Sequence, residues 1–306
     1  MELLLPHLVP PGGTIGIAAP AGPVDPEKLA AGEALLRGAG FEVVHRDDVL
    51  ARRGYLAGDD ARRAGELMAL VEAPDVHAIV CARGGYGCHR LVPLLDPERV
   101  RAAAKPLVGY SDVTTLLLWQ RRCAGLVGFH GPMLERGDDG APAALADLLD
   151  RLTGKAPERS ILRGRAGGGG RTQGRLTGGS LANVAASLGT PWEIETEGAI
   201  LLIEDVGERP YRIDRLLQQL RAAGKLDLLV GIGVGQLVAC DDPRYPSPSA
   251  LEVVEEILRP YGLPLVLDLP FGHVAENFAW PLGGRAEIDG DRGEVAILER
   301  GVRGER

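Results

Sequence analysis

Short apolar runs alternate with amphipathic stretches through the first half of the chain. Thr14–Ala18 is uncharged and mostly apolar, and Pro26–Gly38 follows it with Leu29, Ala30, Leu35 and Leu36 on one helical stripe. The rhythm continues through a run at 42–45, a helical pattern over 59–71, a run at 76–82, a helix near 88–95, the run Leu107–Gly109, a helix over 112–121 and a run at 126–129. Strand and helix periods alternating in this way predict a parallel sheet with helices on both faces, because each crossover helix brings the chain back to start the next strand in the same direction. Ligands of such sheets sit in the crevice beyond the carboxyl ends of the strands. Two segments fall at predicted strand ends: the turn at Ser111 and the loop Arg83-Gly84-Gly85-Tyr86-Gly87.

The pattern shifts at Arg163-Gly164-Arg165-Ala166-Gly167-Gly168-Gly169-Gly170-Arg171. Consecutive glycines offer no side chains to pack, which predicts a flexible linker or an exposed loop. Beyond it, strand-like runs at 199–204, 229–238, 263–268 and 294–298 mix with helical patterns near 180–188, 211–222 and 249–258. The expected organisation is α/β: an N-terminal parallel-sheet domain over 1–160, a Gly-rich linker over 161–175, and a C-terminal mixed α/β domain over 176–306.

Composition narrows the function classes. With 306 residues and 45% hydrophobic content, the chain can fill a substantial core. Its net charge of −8 and the absence of a basic block interleaved with aromatics argue against nucleic acid as a partner. The start Met1-Glu2-Leu3-Leu4-Leu5-Pro6 lacks the basic end and apolar core of a secretory signal, and the longest apolar stretch, 228–240, is glycine-rich and too short to cross a bilayer. Cys81, Cys88, Cys123 and Cys240 show no C-x-x-C spacing. A cytoplasmic protein without a membrane partner is expected.

The chemistry centres on Gly109-Tyr110-Ser111-Asp112-Val113-Thr114, where an apolar run stops at a serine and a helix begins. A hydroxyl on such a turn stands clear of its strand, and the amides opening the helix face whatever lies before it, which suits a nucleophile attacking a carbonyl. Ser111 or Asp112 could equally be a helix cap. Val113 stands where a G-x-S-x-G elbow would have its second glycine. Among the histidines, His7 precedes the first strand, His45 and His77 have surface contexts, and all three read as structural. His89 and His130 could each reach a crevice. His273 ends a buried-strand pattern in a Gly-flanked loop that frees its imidazole. The run Ala199-Ile200-Leu201-Leu202-Ile203 ends in Glu204 and Asp205, which project to opposite faces because strand side chains alternate. Either could orient an imidazole, and either could cap a helix or pair with Arg209, Arg212 or Arg215. Cys88 beside His89 offers a thiol nucleophile as another reading, although adjacent helix residues point apart. The Arg83–87 loop could instead cradle a phosphate in a non-catalytic binding module. No ligand spacing implies a metal or cofactor.

Taken in order, Ile17-Ala18-Ala19-Pro20-Ala21-Gly22, Ala82-Arg83-Gly84-Gly85-Tyr86-Gly87, Gly109-Tyr110-Ser111-Asp112, Gly178-Gly179-Ser180-Leu181, Leu202-Ile203-Glu204-Asp205-Val206-Gly207-Glu208 and Gly272-His273 resemble the serine L,D-carboxypeptidases of the S66 peptidase family. That family includes muramoyl-tetrapeptide carboxypeptidases and the immunity peptidase that inactivates microcin C. The resemblance implies Ser111 as nucleophile, His273 as base and Glu204 as the residue that orients it. The amides of Gly85 and Asp112 would then form an oxyanion hole. It further implies a murein tetrapeptide as the small-peptide substrate, release of its C-terminal D-Ala, and a homodimer. An aminoacyl- or peptidyl-nucleotide antibiotic is the alternative substrate. Arg83 could read the peptide's free carboxylate bidentately, or it could sit in a structural salt bridge.

Overall fold

The computed structural model describes residues 2–135, 142–245 and 247–304. In chain order its strands are β1 (Thr14–Ala18), β2 (Glu42–Val44), β3 (Val76–Cys81), β4 (Leu107–Gly109), β5 (Gly128–His130), β6 (Ser160–Arg163) and β7 (Arg165–Ala166). Then come β8 (Arg171–Ser180), β9 (Ala199–Val206), β10 (Gly231–Val238), β11 (Leu265–Leu267), β12 (Trp280–Leu282), β13 (Arg285–Asp289) and β14 (Glu294–Ile297). The first sheet runs β12-β5-β4-β3-β1-β2, and all its pairs are parallel except that of β12 with β5. The second runs β6-β14-β13-β8-β9-β10-β11-β7, with a parallel centre from β8 to β11 and antiparallel flanks.

The local reasons match the pattern along the chain. Strands β1, β3 and β9 are near-continuous apolar runs because both faces of a parallel sheet are covered. The helix Pro26–Gly38 starts where it does because the Asp25 carboxylate accepts the amides of Glu27 and Lys28 and Pro26 is preset for a first turn. Ala250–Leu258 begins at a reciprocal capping box between Ser249 and Glu252. The helix expected over 112–121 is composite: a 3-10 turn Ser111–Val113, an α-helix Thr114–Trp119 and a π-turn Gln120–Ala124.

The Gly-rich linker expected over 161–175 is corrected by the structure. Residues 161–163, 165–166 and 171–175 belong to β6, β7 and the first half of β8 in the second sheet, and Gly164 and the glycines at 167–170 connect them. Gly164, Gly167 and Gly169 serve close approach. A Cβ on Gly164 would come within 2.2 Å of the Leu267 carbonyl oxygen, and one on Gly169 within 2.2 Å of the Leu263 carbonyl oxygen. Backbone lies directly against backbone along the β11 edge, where any side chain would collide.

Strand β12 carries the chain back from the second sheet to the edge of the first, with Trp280 opposite His130. The two sheets are thereby interlocked, and the fully buried Trp280, Phe129 and Phe271 lie near this crossing. Among the described residues no helix is long and apolar enough to cross a membrane.

Candidate active site

Strand β4 ends at Gly109, Tyr110 is extended, and Ser111 turns sharply with φ at +59°. A non-glycine residue in the left-handed region costs roughly 1 kcal/mol or more, so the surroundings must hold it. They do so from several sides. A Cβ on Gly109 would fall 2.6 Å from Val113 Cγ1, so only glycine lets the chain double back here. Asn183 Nδ2 donates to the Ser111 carbonyl at 3.4 Å and to Ser180 Oγ at 3.1 Å. The Ser180 amide, in turn, donates to Thr114 Oγ1 at 3.1 Å. The serine turn of the first sheet is thus bonded to the β8 end of the second.

The glycine loop lies directly on the hydroxyl. A Cβ on Gly84 would sit 2.8 Å from Ser111 Cβ and 2.9 Å from its Oγ. Gly85 has φ +119° and Gly87 has φ +137°, and the Gly84 carbonyl is held by the Gly22 amide at 3.0 Å. The buried Asp112 carboxylate accepts the Cys88 amide at 2.8 Å, tying the serine turn to the end of that loop. Burial raises the Asp112 pKa above the ordinary carboxylate range, with the Cys88 hydrogen bond opposing. Among the described residues the amides of Gly85 and Asp112 donate to no protein acceptor, which leaves both free for an oxygen in front of Ser111.

From the second sheet, β9 delivers Glu204 fully buried and in register with Ser180. Its Oε2 lies 2.7 Å from His273 Nδ1. Gly272, at φ +114°, makes room for this pair, since a Cβ there would meet Glu204 Oε2 at 2.8 Å. The Asn277 side chain accepts the Gly272 amide at 2.9 Å and closes the loop. Tyr110 meets the His273 ring edge-on with centroids 4.9 Å apart, so the histidine lies against the residue preceding Ser111. Among the described residues no direct hydrogen bond joins Ser111 Oγ to His273. The pair is closed on its acid side and open toward the serine.

The neighbouring candidates separate clearly. Asp205 points away from Glu204, as the alternation requires. Its carboxylate accepts the amides of Ala182 and Val206, each at 2.8 Å, at the start of the helix Leu181–Ala186. Burial pushes it up to about 6. His130 does not reach a crevice: it is fully buried and stacked on Trp280 at 4.9 Å. Burial, then the nearby His273, push it down to about 3, so it is a neutral wall behind the pair. His89 is packed against Trp192 and also lowered by burial.

The thiol reading is overturned, because Cys88 is fully buried and its thiol is held well above its usual range by burial and by Asp112. The phosphate-cradle reading loses its main donor, since the Cys88 amide at the helix start is already bound by Asp112. Arg83 adopts the structural role of the two its context allows: Nε pairs with Glu135 at 3.0 Å and Nη1 donates to the Pro23 carbonyl at 2.9 Å. Among the described residues no three His, Cys, Asp or Glu side chains converge to hold a metal ion.

Periodicity could not reveal Tyr110, Asn183 and Glu135, because each acts through a partner distant in sequence. The one legible hint was the position of Tyr110 beside the serine.

Comparison with known proteins agrees with this architecture. The fold is that of solved carboxypeptidases: a muramoyltetrapeptide carboxypeptidase from Oxalobacter formigenes superposes with a TM-score of 0.84 at 30% identity, covering 93% of this chain and 97% of that one. The structure of MccF in complex with glutamyl sulfamoyl guanosine superposes with a TM-score of 0.88 at 25% identity, covering 98% of this chain and 100% of that one. Residues 15–131 match the LD-carboxypeptidase N-terminal domain and residues 173–288 the LD-carboxypeptidase C-terminal domain of the peptidase S66 family. The chain belongs to this family and is a carboxypeptidase. It is 35% identical to the murein tetrapeptide carboxypeptidase of Pseudomonas aeruginosa over 295 residues, 92% of this chain and 95% of that protein.

Proposed function

We propose that this carboxypeptidase is of the serine type and releases the C-terminal D-alanine from a murein tetrapeptide. The observation that carries the reading is the buried Glu204 carboxylate 2.7 Å from His273 Nδ1, brought against the strained Ser111 turn. Glu204 holds the proton on Nδ1, leaving Nε2 as the base that takes the Ser111 proton during attack on the scissile carbonyl. The tetrahedral oxygen is met by the amides of Gly85 and Asp112, which donate to no protein acceptor among the described residues. The resulting imidazolium, stabilised by Glu204, passes its proton to the departing D-alanine amine. Water then releases the acyl group with His273 again as base. The open Ser111–His273 side fits an unliganded site, where such bonds are commonly long until substrate arrives.

Incubation with a tetrapeptide ending in D-Ala, followed by mass spectrometry, is expected to show free D-Ala, whereas the L-Ala epimer stays intact. Release from an aminoacyl-sulfamoyl nucleoside and none from the tetrapeptide would move the substrate to the class that MccF is seen to bind. We also infer a cytoplasmic homodimer; light scattering giving a monomer mass at micromolar concentration would remove the dimer.

Two further outcomes follow from the geometry. Iodoacetamide should leave turnover unchanged, because the buried, protonated Cys88 presents no thiolate. Inactivation that tracks alkylation of Cys88 by peptide mapping would contradict this. Gly272→Ala should lower kcat at least about 10-fold, since the new Cβ drives into the Glu204 carboxylate and the backbone conformation disfavours any side chain. A variant with unchanged kcat would show that the Glu204–His273 alignment does not limit the reaction.

A further inference from the structure

A cleft of about 580 Å3 opens beside the glycine loop, with Gly22, Gly85, Tyr55, Tyr86, Arg83 and Arg52 among its walls. Its wall includes Gly85, and a Cβ on the preceding Gly84 would sit 2.9 Å from Ser111 Oγ, so the cleft reaches the loop that lies on the serine. Its chemistry is unusual for open surface. Tyr55 and Tyr86 pack edge-on with centroids 5.7 Å apart and remain 66% and 49% exposed, leaving two aromatic faces in water. Aromatic walls around a concave surface are what a binding site offers and what a solvated loop has no need of.

The two arginines of the cleft are not equivalent. Arg83 is bound to Glu135 and the Pro23 carbonyl, and its charge is met by that of Glu135. Arg52 is exposed and has no ion pair, hydrogen bond or ring contact among the described residues. Counting Arg52, Arg83 and Glu135, the cleft carries one uncompensated positive charge on a chain whose net charge is −8. A planar guanidinium with its donors free matches a carboxylate bidentately.

We propose that Arg52, and not Arg83, is the specificity residue that reads a carboxylate of the peptide substrate, with Tyr55 and Tyr86 covering the adjoining aliphatic part. This rests on the peptide-carboxypeptidase reading above. The carboxylate is either the terminal one, which an exopeptidase must recognise, or one carried by an interior residue of the peptide.

The test compares wild type with Arg52→Gln, which keeps length and hydrogen bonding but removes charge, on three peptides. These are the tetrapeptide ending in D-Ala, its C-terminal amide, and the same tetrapeptide with its interior free carboxylates amidated. Arg52→Gln should raise KM for the free acid on the order of 10–100-fold, with kcat within a few-fold. On the analogue lacking the carboxylate that Arg52 reads, wild type and variant should converge, and which analogue shows this identifies the source. Equal losses on all three peptides, or no change in KM on the free acid, would overturn the assignment while leaving the carboxypeptidase reading intact. Titration of the same peptides into Ser111→Ala and Ser111→Ala/Arg52→Gln reads binding without turnover. If wild type fails to release D-Ala, the reading of the reaction falls, and this titration still decides whether Arg52 binds a carboxylate: a 10–100-fold loss of affinity supports it and an unchanged affinity refutes it.

Discussion

Ser111→Ala is expected to reduce kcat for D-Ala release by about 10³-fold or more while the protein stays folded. The change deletes one oxygen. Among the described residues no hydrogen bond is made by Ser111 Oγ, and the bonds that hold the turn use its backbone carbonyl and the side chains of Asn183 and Thr114. Alanine also tolerates φ +59° no worse than serine, so the strain of the turn is unchanged. The amides of Gly85 and Asp112 remain in place, so a residual rate above the uncatalysed reaction should persist. Active-site titration and thermal melting check the two halves of the claim. A folded variant with near-wild-type turnover would remove Ser111 as the nucleophile.

Glu204→Gln should cost about 10²–10⁴-fold in kcat, and Asp205→Asn far less. The two side chains are adjacent, both are buried, and each substitution is isosteric, so the comparison isolates direction and charge. Glutamine in place of Glu204 can still accept from His273 Nδ1, but it supplies no negative charge to the imidazolium that forms when Ser111 attacks. Asp205 instead bonds the Ala182 and Val206 amides, and asparagine can satisfy only one of those two donors. Its effect should appear in stability and not in kcat.

The pH dependence has a definite sign. Burial raises Asp205 from 3.8 to about 6, so the folded state binds its proton more tightly than the unfolded chain does. The stability this contributes is complete below about pH 4 and is lost as pH rises through about 6. Urea melts should therefore show wild type exceeding Asp205→Asn by a wider margin near pH 4 than near pH 7. A larger kcat loss at Asp205 than at Glu204 would transfer the orienting role to Asp205.

Much of the frame is readable locally. The strands Thr14–Ala18 and Leu107–Gly109 and the helix Pro26–Gly38 fall where hydrophobic period and capping residues place them, because those signals act within one turn or one strand. The opposition of Glu204 and Asp205 is likewise contained in strand alternation. The Ser111 turn shows in the break from apolar run to helix, and the ordered motifs point to the family.

Other features depend on contacts that no local pattern encodes. The glycines at 164, 167 and 169 look like a linker in isolation and in the fold join β6, β7 and β8, pressed against the backbone of Leu263, Leu265 and Leu267. Strand β12 is too short to announce itself and is defined by pairing with β5 across the junction of the two sheets.

By itself the chain determined its alternating elements, the serine turn, and the acid and histidine at strand ends, since each follows from spacing along the backbone. Tertiary structure decided which of these meet. It buried Cys88 and His130 out of reach, joined Glu204 to His273 and gave Arg83 to Glu135. Arg52 was left unpaired in the cleft beside the glycine loop. Desolvation and pairing set the chemistry of an ionisable group, and both depend on neighbours that only the folded chain supplies.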